Sequence, residues 1–141
     1  MFQGKVILVV DDKADLREIL REELSYEGAV VIEASNGVEA LRKDKDRPVD
    51  VILSDIRMPG GDGGTLAREV RALFSSYPIL ILIAGFADLQ IQEAFSIGAD
   101  GYLTKPFQLE KAKNEIARHL QYLAGGRKGA LAGRNSRFRQ R

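Results

Sequence analysis

The stretch Pro78-Ile79-Leu80-Ile81-Leu82-Ile83-Ala84 contains no polar side chain and is the most apolar in the sequence. A strand with one face in water alternates apolar and polar residues. A run that is apolar at every position instead suits a strand covered on both faces, as in a parallel sheet flanked by helices. The segment Val49-Asp50-Val51-Ile52-Leu53-Ser54-Asp55 is a second, almost continuous apolar run, bounded by Pro48 and by the cluster Pro59-Gly60-Gly61-Asp62-Gly63-Gly64. Lys5–Val10 and Ala29–Ala34 are β-branched runs of strand length, and Gly101-Tyr102-Leu103-Thr104 reads as a short fifth strand.

Between these runs the period changes to that of a helix. Leu16, Ile19, Leu20 and Leu24 mark a helix closed by Gly28, and a short helix over Val38–Lys43 follows the turn at Asn36-Gly37. Leu66, Val70, Leu73 and Phe74 mark a third helix, Leu89, Ile91, Phe95 and Ile97 a fourth ending at Gly98, and Leu109, Ala112, Ile116, Leu120 and Leu123 a fifth. Parallel strands need crossover helices and those crossovers are right-handed. Five alternations therefore predict an α/β protein: a doubly wound, five-stranded parallel sheet with helices on both faces. Its fourth strand, Pro78–Ala84, is expected to be central.

The 141 residues suit one domain. There is no cysteine, which excludes a disulfide framework and thiolate metal ligation. The N-terminus enters a strand directly and no apolar stretch has membrane-spanning length, so a cytoplasmic protein is expected. The net charge of +1 conceals an asymmetry. Residues 125–141 carry Arg127, Lys128, Arg134, Arg137, Arg139 and Arg141 and no acid, leaving 15 basic and 20 acidic groups in residues 1–124. This divides the chain into an acidic folded domain, 1–124, and a basic tail, 125–141, whose low apolar content and lack of period predict disorder. Short basic termini are usually only solvated, so nucleic-acid binding is not favoured.

Asp11 and Asp12 follow the first strand, Asp55 ends the third and Lys105 follows the fifth. In a parallel sheet these ends share one edge, which is where open α/β sheets bind ligands. Asp55 alone could equally cap the next loop through an Asx-turn, and Asp12 is expected to cap the first helix whatever else it does. Three carboxylates brought together need a positive partner. A hard cation such as Mg2+ prefers oxygen ligands, takes few carboxylates, and can hold a phosphoryl oxygen. Lys105 would add a second positive charge for such a group, and Asp55 is placed as a nucleophile able to form an aspartyl-phosphate.

The set Asp11-Asp12, Asp55-Ile56-Arg57-Met58-Pro59-Gly60, Gly98-Ala99-Asp100-Gly101-Tyr102 and Lys105-Pro106-Phe107 resembles the receiver domain of two-component response regulators, over about residues 4–123. The resemblance implies a flavodoxin-like fold with five helices and strand order 2-1-3-4-5. It implies that Asp55 accepts a phosphoryl group from the phosphohistidine of a histidine kinase or phosphotransfer protein. Mg2+ would be held by Asp12, Asp55 and the backbone carbonyl of Arg57, with Asp11 bound through water. Lys105 would contact the phosphoryl group, and the Lys105-Pro106 bond would be cis. The chemistry would be self-phosphorylation and self-dephosphorylation, not enzyme turnover of a separate substrate. Output would go to a protein partner through the face at about Asp88–Leu123, and a homodimer is compatible with that.

One position departs from the family. Members carry Ser or Thr at the end of the fourth strand, where its hydroxyl bonds the phosphoryl oxygen. Here Ile83 stands there by direct count, or Ala84 or Gly85 if the register shifts. Chemistry at Asp55 is expected to survive, while switching, with Tyr102 as the family's moving aromatic, is expected to be altered. The alternatives are a receiver fragment of a longer transcription regulator, a phosphate-independent receiver, or a Mg2+-dependent phosphohydrolase of the same fold. The last usually has a second acid two residues after its nucleophile, where this sequence has Arg57. Arg57 would also stand beside the phosphoryl site, where it could govern water access and phosphate lifetime. The glycine cluster at 60–64 lacks a following Gly-Lys-Ser/Thr, which excludes a P-loop and suggests a flexible turn. His119 reads as a partly exposed helix residue.

Overall fold

A computed structural model describes residues 1–58, 63–73, 78–85, 96 and 98–126. The elements are β1 (Val6–Val10), α1 (Ala14–Tyr26), β2 (Val30–Ala34), α2 (Gly37–Asp46), β3 (Val51–Asp55), α3 (Gly63–Leu73), β4 (Ile79–Ala84), β5 (Gly101–Thr104) and α4 (Leu109–Gly126). The five strands form one parallel sheet in the order β2-β1-β3-β4-β5. That is the flavodoxin-like order expected, with β3 in the middle and β4 inside the sheet beside it. Among the described residues there are four helices. Leu89, Ile91, Phe95 and Ile97 of the expected fourth helix, the Pro59–Asp62 part of the glycine cluster, Phe74 and the tail beyond 126 lie outside the described residues.

The apolar strands bury both faces. Ile7, Val9, Val51, Leu53, Ile79, Ile81, Ile83 and Leu103 face a layer closed by Leu20 and Leu24 of α1 and Ala112 and Ile116 of α4. Leu8, Val10, Ile52 and Leu80 point the other way, against Ala40 of α2 and Leu66, Ala67 and Val70 of α3. Each such side chain contributes about 1.5–3 kcal/mol on burial, which fixes the register of all five strands.

Local chemistry sets the helix ends, with three differences from expectation. Asn36 is the N-cap of α2, not a turn residue: its side chain accepts from Glu39 N, while Glu39 Oε1 accepts from the N–H of Ser35, the residue before the cap, at 2.7 Å. The N-cap of α1 is Lys13 with no side-chain cap, so Asp12 does not cap that helix. Gly63 and Gly64 are the buried first residues of α3 and not part of a flexible turn. Gly28 does close α1, with φ +97 and its N–H on Ser25 O at 2.9 Å. Ile19 and Leu73 each remain 48% exposed, although both fall at apolar helical spacing.

Candidate functional site

The alternation of each strand explains how distant residues meet. Val9, Leu53 and Leu103 point into the α1/α4 layer, so two residues further on Asp11, Asp55 and Lys105 emerge on that same face at one edge of the sheet. Asp55 is 5% exposed, and Lys105 Nζ donates to its Oδ2 at 2.9 Å. The lysine reaches across β4 to do so. Its own backbone N–H is bonded to Ala84 O at 2.8 Å, and the Lys105-Pro106 peptide is cis. Burial pulls the Lys105 ammonium down. The Asp55 hydrogen bond and the charges of Asp55, Asp11 and Asp12 outweigh it and hold its pKa above the ordinary lysine value.

Asp11 is 1% exposed. Its Oδ1 accepts from Lys13 N at 2.8 Å, and its carbonyl accepts from Arg17 Nη1 at 2.7 Å. Its Oδ2 is buried without a hydrogen-bond partner; Lys105 Nζ stands 3.9 Å away. Burial pushes the Asp11 carboxyl up, aided by Asp55 and Asp12, and the Lys13 N–H and Lys105 offset this only in part. Asp12 is exposed, and carboxylate oxygens of Asp11, Asp12 and Asp55 all lie within 4.8 Å of one another. An orphaned buried oxygen among three carboxylates with one lysine is a site short of positive charge, and an all-oxygen donor set suits a hard divalent cation. The residues present therefore fit Mg2+.

The carbonyl side of Asp55 is also held. Ser54 Oγ donates to Asp55 O at 2.9 Å, Ile56 N donates to Ile83 O at 2.9 Å, and Gly63 N donates to Ile56 O at 3.0 Å. Arg57 is exposed. Ile83 is the register partner of Asp55 and lies in the same apolar layer as Leu53, 1% exposed. Ala84 turns to the other face and joins Ile56, Leu82 and Ala99 in a small cluster, against which Tyr102 packs. Beside Lys105 a groove of about 640 Å³ is lined by Lys13, Leu16, Ile19, Pro106, Phe107 and Leu109.

Several contributors lie beyond the expected residues. Arg17, Ser54 and Gly63 act on main-chain atoms, and nothing in their own spacing signals that. His119 has a partner that its i,i+4 spacing could have revealed, Glu115, at 3.2 Å. Among the described residues no helix is long and apolar enough to cross a membrane.

Residues 7–117 match the family model described as the response regulator receiver domain. The transcriptional regulatory protein ResD of Bacillus subtilis is 41% identical over 101 residues, which cover 72% of this chain and 42% of ResD. The response regulator MprA of Mycobacterium ulcerans is 43% identical over 106 residues, 74% of this chain and 45% of MprA. The chemotaxis protein CheY of Halobacterium salinarum is 35% identical over 114 residues, 81% of this chain and 95% of CheY. The chain thus spans less than half the length of the first two relatives and nearly all of the third. Among solved structures, a two-component response regulator from Clostridium difficile matches with a TM-score of 0.77 at 26% identity, covering 85% of this chain and 98% of that one. CheY4 of Vibrio cholerae matches with a TM-score of 0.74 at 30% identity, covering 81% and 97%.

Proposed function

This chain belongs to the response regulator receiver domain family, and on that premise we propose that it is a phosphoacceptor switch of a two-component relay whose acceptor is Asp55. The observation that carries the reading is the Asp11–Asp12–Asp55 carboxylate group with its orphaned buried oxygen and Lys105 bonded to Asp55. In the transfer, a carboxylate oxygen of Asp55 attacks the phosphorus of a phosphohistidine. The P–N bond breaks as the P–O bond forms, and the histidine nitrogen leaves with the electron pair. Asp12, Asp55 and the Arg57 carbonyl would hold Mg2+, with Asp11 bound through water. When bound, the ion supplies positive charge to the phosphoryl oxygens.

The work of the chain's own residues follows from where they stand. Lys105 neutralises Asp55 before transfer and is positioned to follow the charge onto the phosphoryl group. Asp11 is kept close by Lys13 N–H and Arg17, so its negative charge is ready for a cation. We assign residues 1–124 to the receiver domain, its last helix running on through Gly126, and the basic residues beyond to a segment outside it. Ile83 offers no hydroxyl to the phosphoryl group. The signal is therefore expected to reach Tyr102 weakly or by another route, through a protein-contact face at about 88–123. The lengths of ResD and MprA support a second reading, in which this receiver works as one part of a longer regulator.

The test is incubation with Mg2+ and acetyl phosphate followed by intact mass. One phosphoryl adduct is expected in the wild type and none in Asp55→Asn. No adduct in the presence of Mg2+ would contradict the proposal.

A further inference from the structure

Gly63, the first residue of α3, lies against the main chain of the residue proposed to be phosphorylated. A Cβ built on Gly63 would stand 2.3 Å from Asp55 O, 3.1 Å from Asp55 C and 3.1 Å from Ile56 Cα. All three are backbone atoms, so no side-chain rotation relieves the contact. Gly63 does not have a positive φ, so its backbone would accept any residue. Alanine would in fact favour the helix there by about 1 kcal/mol. What keeps glycine at this position is space, and the space it leaves is filled by the Asp55 carbonyl.

Hydrogen bonds hold both groups of the Asp55–Ile56 peptide, and a third holds the carbonyl of the peptide that follows. Gly63 N donates to Ile56 O at 3.0 Å, Ser54 Oγ to Asp55 O at 2.9 Å, and Ile56 N to Ile83 O at 2.9 Å. The first turn of α3 is in turn anchored by Leu66, Ala67 and Val70 in the core, so it has no freedom to retreat. The position of the Asp55–Ile56 peptide, and with it the Asp55 carboxylate and the start of the Ile56–Arg57 segment, is thereby set by how closely the helix approaches. We infer that Gly63 is a positioning residue for the acceptor site: its missing side chain lets α3 close on the Asp55 carbonyl and aligns the Asp55 carboxylate with Asp11, Asp12 and Lys105.

This inference rests on the phosphoacceptor reading and adds to it a determinant that never touches metal or phosphoryl group. Relieving a 2.3 Å contact to ordinary van der Waals distance moves the peptide by about 1 Å, and a displacement of that size at a reacting group can cost about a hundredfold in rate. Groups that orient metal ligands are worth roughly 10–100-fold in affinity.

The test compares Mg2+ affinity, by calorimetric titration, and the rate of acetyl phosphate labelling at saturating Mg2+ in four proteins: wild type, Gly63→Ala, Ser54→Ala and Leu24→Ala. Gly63→Ala is expected to lose about tenfold or more in Mg2+ affinity and about a hundredfold in labelling rate. Leu24→Ala is expected to lose stability from the buried layer yet keep the Mg2+ dissociation constant within about twofold, because Leu24 lies near the C-terminal end of α1, at the far end of that helix from Asp11. Ser54→Ala frees the same carbonyl without adding volume and is expected to weaken Mg2+ binding severalfold. It decides the matter if Gly63→Ala does not fold. Unchanged Mg2+ affinity in Gly63→Ala, or in Ser54→Ala if only that variant folds, would overturn the positioning role. A wild type that binds no Mg2+ would instead overturn the reading beneath it.

Discussion

Ile83 is paired in register with Asp55 and belongs to the apolar layer on the face where the Asp55 carboxylate meets Lys105. A buried isoleucine thus stands on the strand between Asp55 and Lys105. Under the proposed function it would shield a phosphoryl group on Asp55 from water and offer it no hydrogen bond. Ile83→Thr is expected to lower stability by about 1–3 kcal/mol, because it removes buried methyl and methylene carbons and buries a hydroxyl. Labelling of Asp55 should persist, and the chemical-shift response of Tyr102 to phosphorylation should grow. A Tyr102 response identical to that of the wild type at full labelling would show that the hydroxyl is not the missing element.

Asp11 predicts opposite effects on the free and metal-bound protein. Its folded pKa is raised above the ordinary value of 3.8, chiefly by burial. The folded state therefore binds a proton more readily than the unfolded state. The resulting stability is fully present below the unfolded pKa and is lost as pH rises through the folded one. At neutral pH the charged Asp11 destabilises the metal-free fold. Asp11→Asn is expected to raise the Tm of metal-free protein at pH 7, to lose that advantage below about pH 4, and to show a smaller Tm gain on adding Mg2+. Equal Mg2+-induced Tm gains in variant and wild type would contradict the role given to Asp11.

The α2 cap predicts loss of stability at the acid end. Glu39 is held below its ordinary value of 4.5, first by the Ser35 N–H, which outweighs the opposing effect of burial, and further by Lys43 and Arg42. Its contribution is present above the unfolded pKa and disappears as pH falls through the folded one. Glu39→Ala is expected to cost about 0.5–2 kcal/mol at pH 7, the range for losing a capping interaction, with the difference closing as pH falls below 4. Urea unfolding at two pH values measures it. A pH-independent difference would assign Glu39 a packing role instead.

Asp12 is the exposed member of the carboxylate group, so its removal tests metal binding with little effect on the core. Asp12→Asn is expected to weaken Mg2+ binding by about tenfold or more while leaving the metal-free Tm within a few degrees. Unchanged affinity would mean that the ion is held elsewhere.

How much of this was legible depends on which atoms carry the information. The strands could be read because Val51-Ile52-Leu53 and Ile79–Ala84 are apolar at every position, which only burial on both faces explains. The meeting of Asp11, Asp55 and Lys105 followed from strand ends sharing one edge. Lys13 rather than Asp12 at the N-cap of α1 was not legible, because Asp11 reaches the Lys13 N–H and leaves Asp12 free. Gly63-Gly64 resembled a turn because glycine is a poor helix former, and what overrides that propensity is contact with a backbone carbonyl eight residues earlier. Ile19 and Leu73 show the limit of periodicity: it finds an apolar face but not where the core ends.

The most direct test is the identity of the labelled residue. Protein incubated with Mg2+ and acetyl phosphate is treated with borohydride, which reduces an acyl phosphate to the alcohol and releases phosphate, and the digested peptides are sequenced by mass spectrometry. The account predicts homoserine at position 55 and aspartate at 11 and 12. Homoserine at 11 or 12, or unmodified aspartate at all three positions after Mg2+-dependent incubation, would contradict it.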